Sequence, residues 1–399
     1  MKRLSYFAGA LLAISFLGCG RKPAVDPKVA VVRLPPANPA AVGKMVQGIT
    51  FAKEPRGRPQ AISLLREAVK IDPNLWEAHF DLGLVLAMDS DLSGAEASLK
   101  MAHALAPAEE DVAVALGEVR RRRGLSKDAA EGLEAFVAQN PAATDARSLL
   151  ATTLRDSGQF EKAIKEAREV LVRKSGDAGA LSELALCHLA KQERESAKLL
   201  ARQALDANPK SPAALRVMGL VQLADGDDAL AFASFQKAAQ EDPRDTTARL
   251  NMGTVLLRAG AYAKAEEQYR AALQVSPSDL DAQVGLAAAL RGQAEGKAQN
   301  KLDEVKSLLD KVLEKDPKHA SALFNLAILT ADFMKKPEQA KSYFERFLDV
   351  APKNHPSRAE AEKRVSSAPK AAPPPAPLPA AAPAGPPPAS PAKPPGAKS

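Results

Sequence analysis

The sequence predicts an all-α protein: a solenoid of about nine helix-turn-helix repeats, wound into a superhelix, with disordered ends. Three observations carry this. Prolines that follow an acidic or small residue recur at Pro73, Pro107, Pro141, Pro209, Pro243, Pro277, Pro317 and Pro352. Most are 34 residues apart, or twice that where Ser175 takes the midpoint, and the last two spacings are 40 and 35. About a fifth of the 399 residues are Ala and only 4% are aromatic, which favours helices over strands rich in aromatic and β-branched residues. Finally, small residues recur in register with the prolines, where two helices must approach closely.

Within one unit, residues 75–88 and 93–105 read as two amphipathic helices around the turn Asp89-Ser90-Asp91-Leu92. The proline stops the second helix because it has no amide hydrogen and clashes with the preceding turn. The small residues midway along the first helices are Gly83, Gly117, Ala151, Ala185, Gly219, Gly253, Ala287 and Ala327. Those opening the second helices are Ala61, Ala95, Ala129, Ala163, Ala197, Ala231, Ala265, Val305 and Ala340. Leu82, Leu116, Leu150 and Leu184 on first helices, with Leu99, Leu133, Phe235 and Tyr269 on second helices, supply the core.

This pattern resembles the tetratricopeptide repeat, whose period is 34. The resemblance covers residues 40–354 and implies a right-handed superhelix with a concave wall formed by the first helices. Its units run 42–75, 76–109, 110–143, 144–177, 178–211, 212–245, 246–279, 280–319 and 320–354. In the first, Gly48 stands where a large apolar residue is expected. The eighth has about six extra residues in 292–301, read as a longer turn. Residues 355–368 read as a polar closing helix, which an open solenoid end requires.

The ends differ in kind from the body. Lys2 and Arg3 precede an apolar run over residues 4–18, too short at about 1.5 Å per residue to cross a ~30 Å hydrocarbon core. Residues 1–18 therefore read as a signal peptide. Phe16-Leu17-Gly18-Cys19 resembles the lipobox of bacterial lipoproteins. That resemblance implies cleavage before Cys19, acylation with chains such as palmitate, and attachment to the outer membrane facing the periplasm, since Gly20 rather than Asp follows. Residues 19–39 form a Pro-rich linker. Residues 369–399 contain 13 Pro in 31 positions and no acid, so they cannot bury enough surface to fold. They read as a spacer or as a ligand for an aromatic groove. Cys187 is left without an intramolecular disulfide partner, a state best tolerated in the core.

The formal charge of +7 does not mark a nucleic-acid binder. The excess lies in the two ends, and residues 40–370 are close to neutral. Nor is there a recognisable catalytic or cofactor motif: no phosphate-cradling glycine loop, no nucleophile elbow, and five His with no metal-ligand spacing. The expectation is a non-enzymatic protein with no cofactor or metal. The basic run Arg120 to Arg123 ends at Gly124, and cations at a helix carboxyl end complement its dipole; an anion site is the alternative.

What remains is a surface. Projecting the family pattern puts Phe80, Leu84, Met88 and Val114 toward the groove, followed by Leu186, Leu189, Leu220, Leu223, Leu250 and Leu257. Val284, Phe324 and Ile328 continue the row, joined by Arg121, Arg122, Arg155, Arg216, Arg258 and Arg291. An apolar trough with spaced Arg suits an amphipathic helix or extended peptide bearing some acids. The paired Lys and Asn with which some members of the family clamp a peptide carboxylate are not recognisable. Similarity to lipoproteins with these repeats implies a scaffold for an envelope machine such as gliding motility, a type IV pilus or secretion. The competing reading is a recruiter of cell-wall synthases or hydrolases. The first twenty residues argue against a cytoplasmic co-chaperone.

Overall fold

The computed structural model describes residues 36–294, 299–353 and 355–367. The signal segment, Cys19, the linker to residue 35 and the Pro/Ala tail lie outside the described residues. Among the described residues every regular element is helical, and no helix is long and apolar enough to cross a membrane. The chain divides into two compact units, the first running to Ala259 and the second from Gly260, with Gln274–Ser276 grouped with the first.

In the first unit the helices come in pairs: α1 (Pro39–Ala52) and α2 (Arg58–Ile71), α3 (Trp76–Met88) and α4 (Leu92–Leu105), α5 (Glu110–Arg122) and α6 (Ser126–Gln139), α7 (Thr144–Asp156) and α8 (Phe160–Arg173), α9 (Ala178–Ala190) and α10 (Arg194–Ala207), α11 (Pro212–Asp225) and α12 (Asp228–Glu241), with α13 (Thr246–Arg258) last. From α3 through α13, one residue after each first helix takes a left-handed backbone. It is Gly124, Gly158, Gly226 and Gly260 in four repeats, but Ser90 (φ 69°) and Gln192 (φ 64°) in two. A side chain there costs about 1 kcal/mol or more, against roughly 0.5 kcal/mol for glycine's greater freedom in the unfolded chain. Gln192→Gly should therefore stabilise the protein by about 0.5 kcal/mol in a urea titration; a loss of stability would refute the strain.

Helix starts are satisfied by side chains that recur at the repeat spacing. Asp177, Ser211 and Asp245 accept the backbone N–H of Ala180, Ala214 and Ala248 at 2.8, 3.3 and 2.9 Å. Ala143 precedes α7 and cannot do this. Instead Glu110, at the start of α5 one repeat earlier, reaches over to accept from Asp145 and Ala146 at 2.7 and 2.9 Å. A missing local cap is thus replaced by a bond that ties two repeats together.

The small residues sit where the two helices of a pair touch. A Cβ on Gly83 would lie 2.6 Å from Leu99 Cγ, and one on Gly219 only 2.5 Å from the buried ring of Phe235. Gly48 makes the same contact in the first repeat, 2.9 Å from Leu65 Cγ and 3.3 Å from the Ala61 carbonyl. This corrects the sequence reading: Gly48 is the close-approach residue itself, displaced by one position. The inserted residue is absorbed by the 3₁₀ turn Pro55–Gly57 between α1 and α2.

The second unit holds α14 (Tyr262–Val275), α15 (Leu280–Gln293), α16 (Gln299–Lys315), α17 (Ala320–Ile328), α18 (Pro337–Val350) and α19 (Arg358–Ser367). Part of the eighth repeat's insertion, residues 295–298, lies outside the described residues, and part is helix, since α16 has 17 residues against 14 in α14. No Gly or Pro interrupts residues 299–315, so helix extends back into the insertion. The ninth repeat also carries one added residue. It is accommodated as a π-helical turn at Leu329–Phe333, in which the Met334 N–H bonds to the Leu329 carbonyl at 3.0 Å. The closing helix α19 buries Ala361 against Phe344 and Phe347, and Arg358 donates to the free carbonyls of Leu348 and Ala351 at 2.9 and 3.1 Å.

Candidate functional site: the first-helix row

One position of the first helices, repeated every 34 residues, reads Arg121, Arg155, Leu189, Leu223, Leu257, Arg291. The position three residues before it reads Glu118, Thr152, Leu186, Leu220 through the first four of these repeats. Side chains three apart on a helix share a face. The row therefore has a polar stretch on α5 and α7 and an apolar stretch on α9, α11 and α13.

The polar stretch is a continuous ladder. Arg121 pairs with both oxygens of Glu118 at 2.9 and 3.0 Å and, through Nη1, with Asp156 at 3.0 Å. These bonds raise its already high pKa. The other oxygen of Asp156 meets Arg155 at 3.0 Å. Arg155 turns to Glu183 on α9, and Thr152 donates to the second oxygen of that carboxylate at 3.1 Å. Glu183 is buried, and the loss of water raises its pKa despite Arg155 and Thr152, which pull it down.

The other arginines of the row are also engaged, Arg291 excepted. Arg122 donates to the Ala87 carbonyl at 3.3 Å, Arg216 pairs with Asp245, and Arg258 lies 3.2 Å from Asp228. Asp245 accepts from Ala248 with one oxygen and from Arg216 with the other, so it joins α11 to the start of α13. The run Arg120 to Arg123 is neither an open anion site nor a set of free helix-end charges. Arg120 and Arg123 both reach the buried carboxylate of Glu96 in the preceding repeat.

The apolar stretch is half-exposed. Leu186 and Leu189 rest on the cluster of Ala185, Ala197, Ala201, Val217 and Val221, while Leu220 and Leu223 rest on the cluster around Phe235. Leu250 and Leu257 are likewise half-buried. Leu84 and Val114 pack on the core with their outer sides open, and Met88 is 41% exposed. Phe324 and Ile328 are half-buried in the second unit, with the Phe324 ring 5.9 Å from Phe344 and 5.2 Å from Phe347. Two expectations fail. Phe80 and Val284 are each only 5% exposed. Phe80 belongs to the core beside Trp76, with ring centroids 6.4 Å apart, and cannot line a groove.

Elsewhere the chemistry is quiet. Among the described residues no group of three or more His, Cys, Asp or Glu is placed to hold a metal ion. Cys187 is fully buried, and burial pushes its thiol up to about 12. A Cys19→Ser chain should accordingly resist thiol reagents until it unfolds, with labelling and helix loss coinciding in urea. Stoichiometric labelling of the native chain on mixing would contradict that burial.

Family models of the tetratricopeptide repeat match residues 56–110, 114–179, 148–197, 182–246 and 250–298, and a second such model matches 320–354. No curated protein matches the chain. Solved structures similar to it include a tetratricopeptide repeat protein from Parabacteroides merdae, 18% identical with a TM-score of 0.44, covering 73% of this chain and 97% of that one. TTC0263 of Thermus thermophilus is 25% identical with a TM-score of 0.43, covering 46% and 100%. The Cut9–Hcn1 hetero-tetramer of the APC/C is 14% identical with a TM-score of 0.50, covering 72% of this chain and 55% of that one. Repeat proteins of this type are generally non-catalytic scaffolds for protein–protein interaction. With its repeat models spanning more than half of the sequence, the chain belongs to the tetratricopeptide repeat family.

Proposed function

We propose that this protein is a non-enzymatic scaffold, anchored through an acylated Cys19 to the bacterial outer membrane and facing the periplasm. It assembles components of an envelope machine for gliding motility, type IV pilus function or secretion. The observation that carries the scaffold reading is the apolar stretch of the first-helix row. Six leucines on three successive first helices are half-buried, four of them packed on core clusters with the other side in solvent. A partner that completes their burial gains about 1 kcal/mol per side chain before the costs of association. An amphipathic helix or an extended peptide with apolar residues at helical or alternate spacing fits that row.

The anchor rests on the sequence around Cys19 and the body's near-neutral charge, which leaves the acyl chains as the means of attachment. Two experiments test the reading. Leu220→Glu with Leu257→Glu should abolish co-purification of partners from solubilised membranes while leaving helicity unchanged; an unaltered partner set would refute the row. Globomycin should cause the unprocessed chain to accumulate, and its failure to do so would remove the anchor. Co-purified pilus or motility components would support the machine proposed, whereas cell-wall synthases or hydrolases would replace it.

A further inference from the structure

Arg291 differs from the rest of the row. It sits on α15 at the register position of Arg121 and Arg155, yet it makes no ion pair among the described residues, and its buried Nη1 has no hydrogen-bond partner. Two other guanidinium groups have a buried nitrogen without a partner, but each is anchored elsewhere: Arg58 donates to the Met88 carbonyl at 3.0 Å and Arg249 to the Pro243 carbonyl at 3.3 Å. Arg291 has no such anchor among the described residues. Among the described residues the one carboxylate whose charge acts on it is Asp332, which is already held by Arg364 through both oxygens at 2.6 and 3.2 Å. Burial correspondingly lowers the pKa of Arg291.

A desolvated cation with an empty donor is costly in the free protein and is relieved by an anion that completes its fork. Its surroundings define the rest of the ligand. α15 packs against α17, which presents the half-buried Phe324 and Ile328. The other row arginines are occupied by Glu118, Asp156, Glu183, Asp245, Asp228 or a backbone carbonyl. Acid recognition is therefore concentrated at one residue rather than spread along the row.

We propose that Arg291 is the acid-reading residue of the scaffold: it takes the carboxylate of an Asp or Glu side chain in a bound peptide, whose neighbouring apolar residues lie on Phe324 and Ile328. This rests on the reading of the first-helix row as a peptide-binding surface. It assigns to the second unit's part of that row a specificity-determining charge, set by the absence of a counterion among the described residues.

The probe is a random peptide library displayed on phage, panned against the full chain and against Arg291→Met. The wild type should enrich peptides with an acid at one fixed position beside apolar residues, and Arg291→Met should lose the acid preference while keeping the apolar one. Changing the selected acid to its amide should weaken binding to wild type about tenfold or more and leave binding to Arg291→Met unchanged. The free Arg291→Met chain should unfold at the wild-type temperature or above, because no ion pair to a described residue is broken. A clear drop would show that the residue serves its own fold, and would overturn the proposal. So would an acid preference that survives the substitution, or enriched peptides with none. If no peptide is enriched on any variant, it is the peptide-binding reading itself that fails.

Discussion

Gly219→Val should cost the protein about 3 kcal/mol and divide its unfolding into more than one transition. A Cβ at this position would lie 2.5, 2.8 and 2.8 Å from three carbons of the Phe235 ring. That ring is fully buried within the cluster formed by Ala231, Met252 and Val255, so it has nowhere to retreat. The branched side chain must either push α11 off α12 or force both side chains off their rotamers, and overpacking of this kind costs about 1–3 kcal/mol or more. Stability in a solenoid is carried by each repeat and its neighbours, so loss at the sixth hairpin uncouples the repeats on either side. Urea unfolding followed by helix dichroism, with limited proteolysis at the α11–α12 turn, reads both effects. Phe235→Ala alone should cost about 3 kcal/mol by leaving a cavity, but the double substitution should cost much less than the sum. A single unshifted transition for Gly219→Val would mean that the two helices do not touch where they are placed. Gly117→Ala provides the contrast: its nearest contacts, 3.0–3.1 Å away, are the methyl and branch carbons of Leu133 and Leu149, which can shift.

The repeat register was legible because it is written in local chemistry that every unit must satisfy: a stop for the second helix and a small residue at each crossing. Where an insertion occurs, the sequence marks its presence but not its form. The added residue near Gly48 becomes a 3₁₀ turn, the one before Pro337 a π turn, and the insertion near residue 300 continues as helix from Gln299. Each outcome depends on what the neighbouring helix allows, which no single segment records. The surface row was legible as positions but not as roles. Phe80 lies on the expected face yet is buried in the core beside Trp76, whereas Val114 and Leu250 at the same register position stay half-exposed. The arginines looked like sites for a partner's acids, but Glu118, Asp156 and Glu183 already hold Arg121 and Arg155. The signal was present, since those carboxylates lie within two turns of the same position in the same or next repeat. It could be weighed only once the first helices were side by side.

The ladder predicts the other large effect. Arg155→Met should destabilise the protein by about 3 kcal/mol at alkaline pH and by much less in acid. Removing one partner of a buried pair leaves the other charge uncompensated, at a cost of about 3–5 kcal/mol. Glu183 then keeps only Thr152, and burial raises its pKa further above the ordinary 4.5. A carboxyl group whose pKa is higher in the folded state than in the unfolded one carries no penalty below the unfolded value. Stability is lost as pH rises from 4.5 through the folded pKa, and the full cost is present above it. The gap between wild type and Arg155→Met should accordingly open over that range and close on acidification. Asp81, whose carboxyl burial raises to about 7, contributes a slope of the same sign to both proteins and cancels in the difference. Glu183→Gln added to Arg155→Met should recover most of the loss at alkaline pH, because no buried charge is then left alone. A gap that stays constant with pH would place the damage in lost packing of the Arg155 stem instead of in electrostatics. The consequence reaches the apolar stretch as well. Glu183 lies about one turn before Leu186 and nearly two before Leu189 on α9, and the ladder binds that helix to α7. Loosening it at alkaline pH should weaken peptide capture on the leucines with the same pH profile as the loss of stability.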